Sequence, residues 1–298
     1  MKLVIAGGTG FIGERLREAA ISKGHEVVIL SRRSQRGFPT VVWDAKSSGE
    51  WQSALEKAEA VINLCGTSIV EGRWNTRRKK EIYDSRILST RALVAALSQA
   101  KEKPKVLVNA SAIGFYGDRA EEELDESSRP GDDFLAKLCV DWEREALMAQ
   151  SLGVRAVCLR IGMVLSKDGG ALGRMAFPFR LGLGGRLGSG RQWMSWIAIE
   201  DLLEMIFSLV NSELLGPVNA VSPVPVRNSD FALALSQTLQ RPAWITVPKW
   251  ALNCALGEVS SVVLSSQRAF PKKIAGSGFK FQFEDLLSAL NFYLRPRK

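Results

Sequence analysis

Histidine is almost missing from this sequence: His25 is the single one among 298 residues. Catalysis or metal binding built on imidazole therefore has next to nothing to work with, and His25, at the mouth of an extended segment, reads as a turn or strand-edge residue. Cysteine is scarce too. The four, at positions 65, 139, 158 and 254, are too scattered for a metal cluster and too few for a disulfide framework, so they read as reduced, mostly buried apolar residues. No apolar run approaches the roughly 20 residues of a membrane span. The chain opens directly on a predicted strand, not a leader, so the expectation is a cytoplasmic protein with no membrane partner.

Acidic residues are outnumbered, 31 against 40 Lys and Arg, for a net charge of +9. Such an excess attracts polyanions, yet it is dispersed apart from Arg77-Arg78-Lys79-Lys80 and the Arg295 to Lys298 tail, and no nucleic-acid motif accompanies either. Attraction to phosphorylated or carboxylate small molecules accounts for it as well, and a solvated basic face better still. No nucleic-acid partner is expected.

What the chain does have is glycine in a telling place. Leu3, Val4, Ile5 and Ala6 form an unbroken apolar run, suited to a strand buried on both faces of a parallel sheet. Gly7, Gly10 and Gly13 follow three apart, then a helix from Glu14 to Lys23 and a second strand from Glu26 to Leu30. A strand-to-helix turn of this kind lets a pyrophosphate approach bare backbone at the free amides of a helix start. Gly7, Thr9, Gly10, Phe11, Ile12 and Gly13 are the expected cofactor contacts. The glycine spacing resembles that of the extended short-chain dehydrogenase/reductase superfamily.

After the second strand stands Ser31-Arg32-Arg33. An acidic residue there would suit NAD, whereas a guanidinium suits the extra phosphate of NADP, which is therefore the expected cofactor; a plain basic turn is the alternative. A third strand, Val41 to Asp44, places Asp44 where the resembled superfamily contacts adenine. A fourth, Val61 to Gly66, should border the cofactor through Leu64, Cys65 and Gly66 at its carboxyl end. A long helix is predicted from Thr76 to Ala100, with Ile82, Arg86, Ser89, Leu93 and Leu97 on one face. Arg86 on that stripe must either pair with a carboxylate or point into the ligand cleft; the cleft is favoured, with Glu81 and Ser85 beside it.

A fifth strand, Val106 to Ala110, leads to Ser111, which sits where the superfamily carries a serine or threonine that hydrogen-bonds substrate. An acidic loop from Asp118 to Asp133 and a helix from Phe134 to Ser151 follow. In the superfamily a tyrosine and a lysine four residues later form the catalytic pair. Lys137 fits the lysine, but Asp133 stands in the tyrosine's place, and Tyr116, upstream, is the phenol that could reach the same cleft. A sixth strand spans Val154 to Leu159. The glycine-rich stretch from Gly169 to Gly190, beside the aromatics Phe177, Phe179, Trp193 and Trp196, reads as a loop that lines a ligand and moves.

Together, Gly7-Gly8-Thr9-Gly10-Phe11-Ile12-Gly13, Asn63-Leu64-x-Gly66, Arg73-Trp74, Leu159-Arg160-x-Gly162-x-Val164-Leu165, Pro178-Phe179-Arg180-Leu181-Gly182-Leu183-Gly184-Gly185, Gly188-Ser189-Gly190-x-Gln192 and Trp196-Ile197 resemble the sugar-epimerase-like family of atypical extended short-chain dehydrogenases. The likeness covers essentially the whole chain. It implies an NADP-binding Rossmann domain with Ser31 and Arg32 at the 2′-phosphate, Leu64 and Cys65 beside the cofactor, and Glu81, Arg86 and Val164 near it. One departure is Ala198, where the family has histidine.

The expected architecture is α/β: a doubly wound parallel Rossmann sheet in residues 1–213, including substrate-lobe loops at about 166–200, then a smaller α+β substrate lobe and helical cap in 214–298. Arg180, Arg227 and Arg268 are candidate anion anchors. The expected function is an NADP-dependent oxidoreductase or epimerase acting on a small polar molecule, with Ser111 orienting oxygen and Tyr116 or Lys137 assisting proton transfer. The alternative is a catalytically reduced NADP-binding sensor or partner protein.

Overall fold

Leu3, Val4, Ile5 and Ala6 are each fully buried because β1 (Lys2–Ala6) runs through the middle of a parallel sheet, between β2 (Glu26–Ser31) and β4 (Ala60–Asn63). This is seen in a computed structural model that describes residues 1–34 and 37–295; the last three residues of the basic tail lie outside the described residues. Alternate side chains of β1 enter two different cores. Leu3 and Ile5 pack with Leu16 and Ala20 of α1 (Phe11–Ser22), while Val4 and Ala6 pack with Leu93 and Leu97 of α2 (Thr76–Gln99). A sheet covered on both faces needs apolar residues at every position, hence the unbroken run.

With β3 (Thr40–Val42), β5 (Val106–Ala112), β6 (Arg155–Ile161) and β7 (Gly216–Ala220) the sheet has seven strands, all parallel, in the order β7-β6-β5-β4-β1-β2-β3. The chain winds outward from β1 to β3 and then restarts at β4 on the other side, so the winding reverses between β1 and β4. That is where ligands enter doubly wound sheets.

Two expectations are revised. β7 lies beyond residue 213 yet pairs with β6 in register Val218 to Leu159, so the Rossmann sheet extends past the boundary set from sequence. The glycine-rich stretch is not one loop: α4 (Gly170–Arg180) occupies half of it, because Leu172, Ala176 and Phe179 recur at helical spacing and are buried in the main core. Gly185–Leu187 then pairs in parallel with Ile245–Val247 of the smaller lobe.

Opposite faces of the sheet carry α1 and α5 (Ile199–Val210) on one side, α2 and α3 (Phe134–Leu147) on the other. The smaller lobe adds α6 (Asn228–Leu239), α7 (Lys249–Leu256) and the final helix Leu286–Leu294. α7 and the turn after it reach back to the segment after β4. Arg73 Nη2 donates to the Cys254 carbonyl at 2.5 Å, Lys79 pairs with Glu258, and Val259 joins Trp74, Ile82, Leu138 and Trp142 in one cluster. No helix among the described residues is long and apolar enough to cross a membrane, and no group of three or more His, Cys, Asp or Glu there could hold a metal.

Candidate functional site

At the end of β1 the backbone of Gly7 turns with φ +80°, a region that favours glycine, and a Cβ there would stand 2.8 Å from the Leu64 carbonyl of β4's extension. A Cβ at Gly13 would meet the Gly7 carbonyl oxygen at 2.3 Å, so the helix can sit this close to the strand only without one. Gly10 is the N-cap of α1, which begins at Phe11, three residues before the sequence suggested. The amides of Phe11, Ile12 and Gly13 precede the first intrahelical bond, from Glu14 to the Gly10 carbonyl. Thr9 is exposed beside them. The result is a helix N-terminus with bare amides at the point where the winding reverses.

Around it stand the carboxyl ends of the neighbouring strands. Ser31 closes β2 and is buried, its hydroxyl 3.4 Å from the Arg33 amide; Arg32 is exposed. Cys65, after β4, feels the positive charges of both Arg32 and Arg86, though burial dominates and pushes its thiol up to about 12. The Cys65 amide is fixed by the Asn63 side chain, itself bonded to Thr90 at 2.9 Å and Asn109 at 2.7 Å.

Arg86 does not take the first of the two fates open to it, a carboxylate partner. No carboxylate pairs with it among the described residues; Nη1 donates to the Ile82 carbonyl at 3.0 Å, and the guanidinium lies against Gly66 and 5.2 Å from the Trp142 ring. Burial draws its pKa down to about 10. Ser85 does lie beside it, accepting from the Thr67 amide at 3.1 Å. Glu81 instead turns to Arg77 and Arg78, at 3.0 and 3.2 Å, and is held ionised by them. Asp44 is exposed and closes its own turn, accepting from Lys46, Ser47 and the Ser47 hydroxyl, which lower its pKa to about 2. Val164 sits in a short strand, Met163–Leu165, paired with Trp196–Ala198.

The proposed catalytic groups do not converge. Tyr116 is fully buried; its hydroxyl lies 2.7 Å from Asn219 Oδ1 and 2.9 Å from the Asp125 carbonyl, and accepts from Arg160 Nη1 at 3.0 Å. Enclosed by these partners, the hydroxyl has no exposed surface, so the expectation that it reaches the cleft is corrected; the same burial pushes its pKa up to about 12, the opposite of what a proton-transferring phenol requires. Ser111 is also buried, and its hydroxyl donates to Glu143 Oε1 at 2.7 Å instead of facing a substrate oxygen. Asp133 caps α3, accepting from the Ala136 amide at 2.8 Å. Lys137, one turn on, is exposed and has no ion-pair partner among the described residues. Ala198 is fully buried at the start of α5, in the core.

The residues that hold Tyr116 and Ser111 were not singled out from sequence. Arg160 and Glu143 form a buried bidentate pair, Nε to Oε1 at 2.8 Å and Nη2 to Oε2 at 2.9 Å, with the guanidinium 3.4 Å from the Phe115 ring centroid. The signal was available: an arginine within the apolar strand Val157-Cys158-Leu159-Arg160-Ile161 has to meet a carboxylate. The anion-anchor candidates divide. Arg227 is bound on both nitrogens by Glu121, at 3.0 and 2.8 Å, and Arg268 pairs with Glu123 at 2.9 Å, both stacked on Trp193; Arg180 stays exposed at the end of α4.

Comparison with known proteins gives two family matches: residues 3–219 to the NAD dependent epimerase/dehydratase family, and residues 247–292 to a domain of unknown function, DUF1731. The chain is 39% identical to epimerase family protein YfhF of Bacillus subtilis, over 100% of this chain and 99% of that one. It is also 39% identical to the chloroplastic SDR39U1 homolog of Arabidopsis thaliana, covering 97% and 86%. Among solved structures, the human epimerase family protein SDR39U1 with NADPH superposes with a TM-score of 0.88 at 32% identity, covering 98% of this chain and 99% of that one.

Proposed function

The chain belongs to the NAD dependent epimerase/dehydratase family, in its atypical extended short-chain dehydrogenase branch, and on that premise we propose that it is an NADP-binding oxidoreductase or epimerase-like protein acting on a small polar molecule. The observation that carries this reading is the half-buried Arg86 guanidinium, without a carboxylate, against Gly66 beside the glycine turn. A buried cation left unpaired by the protein is stabilised by an anion from outside it.

The residues present fit NADP. Gly7 and Gly13 leave backbone bare, the amides of Phe11, Ile12 and Gly13 would hold a diphosphate, and Ser31 with Arg32 would hold the 2′-phosphate. Leu64, Cys65, Gly66 and Val164 would border the rest, with Asp44 on the adenine side. When bound, NADP supplies hydride transfer. Lys137, exposed and without an ion-pair partner among the described residues, would assist proton transfer, while Tyr116 and Ser111 are engaged by Arg160 and Glu143. Fluorescence titration tests the cofactor assignment: Arg32→Ala should weaken NADPH and leave NADH unchanged, and equal weakening of both would overturn it.

A second reading, a catalytically reduced NADP-binding sensor or partner, is favoured by Asp133 capping α3 and by the committed Tyr116 hydroxyl. Copurified NADP with no turnover across a panel of sugars and carbonyl compounds is its expected signature. Turnover that is lost on Lys137→Met but retained on Tyr116→Phe would favour the enzyme.

A further inference from the structure

Two stretches of the chain, 169–199 and 231–257, contain no aspartate or glutamate. They carry Arg174, Arg180, Arg186, Arg191, Arg241 and Lys249, none of which pairs with a carboxylate among the described residues. The fold brings these stretches together. Gly185–Leu187 pairs with Ile245–Val247, Arg186 Nε reaches Thr246 Oγ1 at 3.0 Å, and the Trp244 indole reaches the Gly182 carbonyl at 3.4 Å.

On this cationic face large apolar side chains are left uncovered. Phe177 is 58% exposed, Leu181 59%, Leu183 58% and Trp244 78%; Trp250, at the start of α7, is 70% exposed. A lone exposed leucine needs no explanation, but these come from one helix end and the strand pair beside it. The pairing of protruding aromatic and aliphatic groups with flanking guanidinium groups is the composition of a surface that enters the boundary between lipid headgroups and acyl chains. A nucleic-acid groove has stacking work for Trp244 but none for Leu181 or Leu183. A second copy meeting this face about a two-fold axis would set cations against cations.

We propose that this face docks the protein on an anionic lipid surface, with Phe177, Leu181, Leu183 and Trp244 entering the headgroup region and Arg180, Arg186 and Arg241 meeting lipid phosphates. Such docking is peripheral and needs no spanning helix, so it departs from the expectation of no membrane partner. It is independent of which reading of the nucleotide site holds.

The test is co-sedimentation of the full chain with vesicles of phosphatidylcholine alone, or of phosphatidylcholine with about one third phosphatidylglycerol. Binding to the second and not the first is expected, weakened by salt. Leu181→Ser with Trp244→Ser should reduce partitioning about tenfold, as should Arg186→Ser with Arg241→Ser, while NADPH affinity stays unchanged as the check on folding. No binding to the anionic vesicles overturns the proposal. Binding insensitive to both pairs of substitutions overturns it too, as does sedimentation-velocity dimerisation that Trp244→Ser abolishes. Tight binding of a single-stranded oligonucleotide through the same arginines, with no vesicle binding, would assign the face to nucleic acid instead.

Discussion

Arg86 and Gly66 are in direct contact: a Cβ at the glycine would stand 2.9 Å from the guanidinium carbon and 3.0 Å from Nη2. The arginine thus lies against the backbone that follows β4. Its position depends on two residues that sequence separates by twenty positions and that the strand-helix crossover brings together.

Replacing Gly66 with Ala should push that guanidinium aside and weaken NADPH about tenfold, ~1.4 kcal/mol. Arg86→Ala should cost more, about 2 kcal/mol or above, since a hydrogen-bonded charge is lost. Isothermal titration with NADPH reads both. An Arg86→Ala variant with wild-type affinity would remove the basis of the cofactor assignment.

Gly13→Ala introduces a Cβ only 2.3 Å from the Gly7 carbonyl oxygen, which is backbone and cannot rotate away. Strain of this kind costs about 1–3 kcal/mol in stability and should abolish measurable nucleotide binding. Thermal melting with and without NADPH separates the two losses: the ligand-induced rise in Tm disappears. A variant that melts low but keeps the rise would place the diphosphate elsewhere.

Glu143→Gln leaves Arg160 buried without a counter-charge, and about 3–5 kcal/mol of stability should go with it. Tyr116→Phe removes one hydroxyl from the same network and should cost about 1 kcal/mol. Urea unfolding measures both. If a substrate is found, Tyr116→Phe should retain turnover, because its hydroxyl is spent on Asn219 and Asp125; a loss of several hundredfold with unchanged stability would make it a catalytic residue after all.

Alkaline pH should destabilise the fold through its buried thiols. Burial pushes Cys65 and Cys139 up to about 12 from an ordinary 9.0, so the folded chain keeps protons that the unfolded chain releases. The stability these groups contribute is intact below about pH 9 and is lost as pH rises toward about 12, at up to ~1.4 kcal/mol per pH unit for each group. Cys139→Ala should flatten that slope in urea titrations between about pH 8 and pH 11. Parallel slopes for variant and parent would show that the thiol does not contribute.

Much of this architecture is legible without coordinates. The apolar runs of β1, β4, β5 and β6 and the amphipathic stripe of α2 name their own positions, because burial on two faces or on one leaves a compositional trace. The phosphate turn is legible for the same reason: only glycine tolerates its close approaches. Proton-transfer roles are not. Position in sequence put Tyr116 and Ser111 at a strand end, but whether a hydroxyl faces outward or inward depends on a partner over a hundred residues away, Asn219 for Tyr116, and on Glu143 of α3 for Ser111. Glycine frequency misled between Gly169 and Gly190, where the spacing of Leu172, Ala176 and Phe179 decided for helix.

The bonds from Arg73 to Cys254 and from Lys79 to Glu258 tie the segment after β4 and the start of α2 to residues about 180 positions later. All seven strands of the sheet precede residue 221 and can pair before α7 is made, but the segment after β4 lacks these two bonds until α7 and the turn after it arrive. A nascent or truncated chain ending near residue 245 would therefore hold a complete sheet while Arg73, Lys79 and Trp74 stood without their later partners.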